Sequence, residues 1–228
     1  MNKTYKIILL SFLLVFLTTF NPININFSNF KKKSSLLTVQ NIEIKNNLIV
    51  HKDEILDKLQ LIYGKNIFFL RKEDLYKPIQ NNEFIERIEV KKKYPNTLII
   101  KVYEEKPVGI LFKKEEKFFI TQSSKLIEFD ENISTKNLSS IFGDEAENNF
   151  VIFFNKLKKS DFPYHKIKNF YYFKIGRWDL ELFDNKTIKL PFENVLESLN
   201  QANVLIKRED FKKYTIIDLR LNGKVIAE

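Results

Sequence analysis

The sequence has no cysteine among its 228 residues and only two histidines, His51 and His165. Thiol nucleophiles, disulfides and Cys/His zinc sites are thereby excluded, and any metal site would have to be built from carboxylates. No acidic residue precedes Glu43 and no alanine precedes Ala146. A Gly-rich phosphate loop, a dinucleotide fingerprint and a nucleophile elbow are missing too. What is present is 44% hydrophobic and 29% charged, the make-up of a chain that folds. Its length allows one or two modest domains with a real core.

The formal charge is +9, from 38 basic and 29 acidic residues. Such an excess invites a nucleic-acid reading, but its distribution argues against one. Lys3, Lys6, Lys31, Lys32 and Lys33 account for +5, and everything beyond Lys33 is close to balance. With 33 lysines accompanied by 28 isoleucines and 23 asparagines, the bias reads as a codon habit that says little about partners.

The strongest local signal is uncharged. Residues 7–30 carry no charge, and eleven of the fourteen residues from 7 to 20 are large and apolar, the others being Ser11, Thr18 and Thr19. As a helix, residues 7–30 would extend about 36 Å, against a hydrocarbon core of about 30 Å. Eleven such side chains favour insertion by about 3–7 kcal/mol together. A buried core helix fits poorly, because this one is apolar on every face. Lys3 and Lys6 followed by an apolar stretch also resemble a signal peptide, yet cleavage wants small residues in an A-x-A-like pattern, and alanine is missing there. The segment is therefore read as an uncleaved anchor at residues 7–27, with a tail at 1–6 and a linker at 28–36. Charge leaves its orientation open, since two lysines plus the amino terminus oppose three.

Beyond the linker the periodicity predicts β-α-α-β-β. Val39, Ile42 and Ile44 mark a strand that turns at Lys45, Asn46 and Asn47. Ile55, Leu56, Leu59 and Ile62 share one face of a helix over 52–63, with Gly64 placed to end it. A second helix over 72–81 turns Leu75 and Ile79 inward, and Pro78 limits its length. Ile88 and Val90 alternate with charge over 85–92. After a turn at Tyr94, Pro95 and Asn96, Leu98, Ile100 and Val102 alternate over 97–104. A small sheet covered on one face follows.

Glu83-Phe84-Ile85-Glu86-Arg87-Ile88-Glu89-Val90 and the following Lys93-Tyr94-Pro95-Asn96-Thr97-Leu98, continued to Val102, Glu104, Pro107 and Val108, resemble the POTRA domain of the bacterial FtsQ/DivIB cell-division family. Gly64, Asn66, Phe68 and Leu70 are similar to its segment between the helices. Glu83-Phe84 stands where that family usually has Pro-Trp, Gly109 where it has Ala, and Asn46 where it has a turn Gly. Later stretches resemble it as well: Leu138 to Gly143 without the family's prolines, the Arg177-Trp178-Asp179-Leu180 and Lys189-Leu190-Pro191 hairpin, and a closing strand from Tyr214 through Asp218, Leu219, Arg220 and Leu221. The resemblance implies an α+β chain: one transmembrane helix, a POTRA domain at 37–105, and a mostly antiparallel β-domain at 106–228 with two helices. Phe150, Phe153, Phe154 and Leu157 mark one of those helices, and Phe192, Val195, Leu196 and Leu199 the other.

No catalytic constellation is expected. Asp218 and Arg220, two apart on one strand, read as an ion pair because no further group completes a site. His51 reads as a solvated helix-start residue, His165 as a loop residue and Trp178 as core. Lys91, Lys92 and Lys93 read as a solvated strand end, with anionic lipid as the alternative. The resemblance implies a non-enzymatic divisome scaffold of the inner membrane, N-terminus inside and both domains periplasmic, at the division septum. Its partners would be divisome membrane proteins similar to FtsB and FtsL, together with inner-membrane lipid. Neither nucleic acid, nor a small-molecule substrate, nor a cofactor is expected. Asn222-Gly223 suits a tight hairpin turn, so Lys224, Val225, Ile226 and Ala227 form a short strand with one unpaired edge. That stretch and Leu221 are the expected partner-binding residues, the region also implied by the resemblance. Two other functions compete. An envelope enzyme would need a convergent acid/base pocket, and an outer-membrane assembly or secretion factor would associate with the outer membrane.

Overall fold

The computed structural model describes residues 3–19, 35–221 and 223–228. Its first helix, α1 (Lys3–Thr19), starts before the apolar run because nothing from Lys3 to Lys6 breaks a helix. Ser11 and Thr18 sit in it without orphaned hydroxyls, each donating back to a carbonyl on the preceding turn (Ile8 and Leu14, both 2.9 Å). At 17 residues α1 extends about 26 Å. Among the described residues no helix is long and apolar enough to cross a membrane. Of the expected span over 7–27, residues 7–19 lie in α1. The span's remainder, most of the 28–36 linker and Lys31, Lys32 and Lys33 lie outside the described residues.

The first folded unit runs β1 (Asn41–Lys45), α2 (Lys52–Lys58), α3 (Lys72–Ile79), β2 (Ile85–Lys93) and β3 (Thr97–Glu104). Its sheet has the order β1-β3-β2. β1 pairs parallel with β3, Ile42 opposite Leu98 and Ile44 opposite Ile100, while β2 and β3 form an antiparallel hairpin. Ile55, Leu59, Ile62, Leu75 and Ile79 from the helical side close over Ile42, Ile88, Leu98 and Ile100. The helix expected over 52–63 is α2 followed by a 3-10 turn at Gln60–Ile62, which still delivers Ile62 inward. Gly64 follows with φ +78, a conformation that costs a residue without Cβ nothing. α3 ends at Ile79, two residues short of the expected 81. Pro78 lies in its last turn, and Asn82 takes over as a turn residue, its Oδ1 accepting from the Phe84 N–H at 3.0 Å. Glu104 fastens the opposite side: its carboxylate accepts from the backbone N–H groups of Leu48, Ile49 and Val50, all at 2.9 Å.

The second unit is a nine-stranded sheet made of β4 (Pro107–Lys113), β5 (Glu116–Thr121), β6 (Leu126–Glu128), β7 (Ser140–Phe142), β8 (Ile167–Phe173), β9 (Arg177–Leu182), β10 (Thr187–Lys189), β11 (Ile216–Asp218) and β12 (Ile226–Ala227). The order is β12-β11-β10-β9-β8-β7-β4-β5-β6. Three pairings, β4 with β7, β7 with β8 and β10 with β11, are parallel; the other five are antiparallel. Helices α4 (Ala146–Lys159) and α5 (Val195–Leu205) bury Phe150, Phe153, Phe154, Leu157 and Leu199 against Phe170, Trp178, Leu180 and Ile217. Two expectations are corrected. Phe192 is exposed and outside α5, because Asn194 takes a left-handed conformation and the helix begins only at Val195. The strand expected from Tyr214 to Leu221 is regular only over β11, with single main-chain bonds continuing at Thr215 and Leu219, because the Asp218 carboxylate then turns the chain by accepting from the Arg220 N–H at 3.0 Å. Gly109 also acquires a reason: a Cβ there would stand 2.5 Å from Ile141 Cδ1.

The two units share their packing. Ile110, Phe119 and Ile127 of the second sheet are buried with the first unit's core, not with α4 and α5. Phe84 meets Phe119 edge to face, ring centroids 5.8 Å apart.

Candidate interaction site

Strand β12 lies at one end of the nine-stranded order, and among the described residues no strand lies beyond it. The turn into it carries Gly223 at φ +72 and is closed by the Lys224 N–H donating to the Leu221 carbonyl at 3.0 Å. Asn222 itself lies outside the described residues. The register pairs Ile217 with Ala227 and Asp218 with Ile226. One residue further on, Ile216 and Glu228 exchange both backbone bonds, at 2.9 and 3.1 Å. Hydrogen-bonded and non-bonded pairs alternate along an antiparallel ladder. The N–H and C=O of Ala227, and by the same alternation those of Val225, therefore point away from β11 to the open edge.

The side chains sort by the same alternation. Val225 packs against the second unit's core, whereas Leu221 and Ile226 are 53% and 41% exposed and Lys224 is solvated. The five residues expected to bind a partner are thus together at one edge, with backbone groups and two apolar side chains outward. What the sequence alone did not reveal is the support beneath them. Cross-strand pairing runs Tyr171–Asp179–Lys189–Asp218–Ile226 over β8 to β12, on the face opposite the helices. Asp218 is an ion pair as expected, accepting from Arg220 Nε at 2.8 and 2.9 Å. That hydrogen bond holds its carboxyl below the usual range, against the effect of burial. Burial instead pushes Asp179 up, although Arg177 lies 3.3 Å away and Arg220 and Lys189 add their charge.

The remaining candidates sit where the sequence reading placed them. His51 is exposed just ahead of α2, His165 is exposed in a 3-10 turn, and Trp178 is buried among Phe150, Phe153 and Tyr172. Among the described residues no group of three or more His, Asp or Glu could hold a metal ion. A cleft of about 470 Å³ between the units is lined by His51, Glu54, Phe84 and Asp130 among others, and no nucleophile is paired with a base there.

Residues 37–105 match the model of the FtsQ-type POTRA domain. The cell-division protein FtsQ of Rickettsia bellii is 28% identical over 193 residues, covering 83% of this chain and 72% of the relative. DivIB of Clostridium botulinum is 27% identical over 200 residues, covering 79% and 77%. The chain is a relative of the FtsQ and DivIB cell-division proteins. The solved extracytoplasmic domain of DivIB in its trans isomer, from Geobacillus stearothermophilus, covers 45% of this chain and 91% of its own at 9% identity and a TM-score of 0.35. In this FtsQ/DivIB relative the POTRA core and the second sheet meet through Phe84, at the position where the sequence departs from the family's usual Trp.

Proposed function

We propose that this FtsQ/DivIB relative is a non-enzymatic cell-division scaffold that captures a partner strand on the open edge of β12. The relatives' role in cell division, over most of this chain, supports the first part. The carrying observation for the second is the edge itself: outward N–H and C=O groups on Val225 and Ala227, flanked by exposed Leu221 and Ile226. Main-chain bonds would give affinity and the two apolar side chains a register. Partners similar to FtsB and FtsL, themselves divisome membrane proteins, suit such a site. Anchoring belongs to the same reading. Leu9, Leu10, Phe12 and Leu13 of α1 are exposed apolar side chains, which suits lipid. The orientation proposed is N-terminus cytoplasmic and both folded units periplasmic.

The test is a pull-down of partner from membranes with Val225→Pro and with residues 222–228 deleted. Removing one edge donor weakens capture about tenfold or more, and the deletion abolishes it while the POTRA unit stays folded by circular dichroism. Undiminished capture by both variants refutes strand addition. Depletion of the protein is expected to give filamentous cells, and fractionation is expected to recover it in the inner membrane; outer-membrane recovery would favour an assembly factor.

A further inference from the structure

The POTRA unit has two ends. One, at Asn46 to Val50 and Phe84, meets the second sheet. The other gathers the 60–69 segment and the β2–β3 turn: the Val39 N–H donates to Lys65 O, the Ile67 N–H to Leu37 O and the Gln40 N–H to Asn96 O, at 2.8–2.9 Å, and Lys92 Nζ donates to Phe68 O at 2.9 Å. This far end is unusually apolar for a free surface. Leu61 is 83% exposed, Phe68 63% and Phe69 76%, and Tyr94 in the β2–β3 turn is exposed as well. The two phenylalanine rings stack edge to face on each other, 5.6 Å apart. Lys65 and Arg71 flank them along the chain and Lys92 reaches Phe68, although Arg71 also lies 3.9 Å from Asp74. Lys93 adds less, lying 4.0 Å from Glu43.

We infer that this end of the POTRA unit docks on the surface of an anionic phospholipid bilayer, with Phe68 and Phe69 at headgroup level and the basic residues on lipid phosphates. Three observations converge. Exposed aromatic side chains next to basic ones match a surface that is apolar below and negative above. The chain leaving α1 enters the fold at Leu37, on this very end. The seventeen residues between them, 20–36, reach at most about 60 Å, so the patch stays within that distance of α1. The tether, but not the patch, rests on the anchored reading above.

Because the chain has no cysteine, single cysteines can report position. The full-length protein with Tyr94→Cys, Leu48→Cys or Phe12→Cys, each carrying an environment-sensitive fluorophore, is reconstituted with phosphatidylcholine vesicles containing a nitroxide lipid, with and without phosphatidylglycerol. Docking predicts quenching at 94, stronger with phosphatidylglycerol, and none at 48, which sits at the opposite end. It also predicts loss of that quenching in Phe68→Ser/Phe69→Ser, whose exposed sites leave folding intact. No quenching at 94, equal quenching at 48, or independence from phosphatidylglycerol overturns the inference. A response at 94 that follows protein concentration instead of lipid overturns it in favour of a second copy. Position 12 reads the anchor separately: an unquenched 12 rejects anchoring, and 94 still decides docking.

Discussion

At the scale of single residues, carboxylates organise both units in different ways. Glu104 satisfies three backbone donors that would otherwise be left open in the loop after β1. Glu104→Ala is expected to lower stability by about 2–3 kcal/mol, read by thermal or denaturant unfolding, with Glu104→Gln recovering part of it. Asp218 and Asp179 act with opposite sign. Asp218 has its folded pKa depressed by Arg220, so its contribution is present above the ordinary value of about 3.9 and is lost as pH falls through the folded one. Asp179 is raised by burial, so its contribution is present below about 3.9 and is lost as pH rises through its folded value. Asp218→Asn should flatten the acid side of a stability–pH profile below pH ~4, and Asp179→Asn should flatten the decline just above it.

Elements differ in how far local pattern reveals them. The β2–β3 hairpin was legible to within a residue, since Ile88, Val90, Leu98, Ile100 and Val102 alternate around a Pro-Asn turn. Helix α4 was legible from Phe150, Phe153, Phe154 and Leu157, all buried as their spacing requires. Phe150→Ala, which opens a gap beside Phe154, Phe170 and Trp178, should cost about 3–5 kcal/mol by denaturant unfolding. Phe192 misled because hydrophobic spacing cannot register a left-handed Asn194 between it and the helix. The placement of β7 between β4 and β8, and the parallel pairing of β10 with β11, join residues far apart in sequence, which no local periodicity encodes. The β12 edge was legible as a strand after Asn-Gly, but only Ile226 and Ala227 of the expected 224–227 pair with β11. Its outward-facing groups were not legible, because the ladder phase depends on the Ile216–Glu228 pair.

Taken whole, the molecule is two sheets with a common seam. Phe119 is fully buried, but against Phe84 and Phe129 and the POTRA core, so residues from both units close one contact. Trp178, the single tryptophan, lies in the second unit and reports on it alone, while circular dichroism reports on both. The two signals should therefore trace one coincident unfolding transition in the natural chain and separate in Phe119→Ala. The +9 charge also resolves at this scale. Its excess falls on the lysines around α1 and the segment after it, which leaves the folded units close to neutral.

The strand order turns the second sheet into a ruler. Six inter-strand steps separate β12 from β4, the strand that continues directly from the POTRA unit. At about 4.8 Å per step this is a path of roughly 29 Å across the sheet, laid down by hydrogen bonds and unable to slacken. A strand added to β12 would inherit that spacing from the POTRA unit, whatever its own sequence, and would lengthen the ruler by one more division.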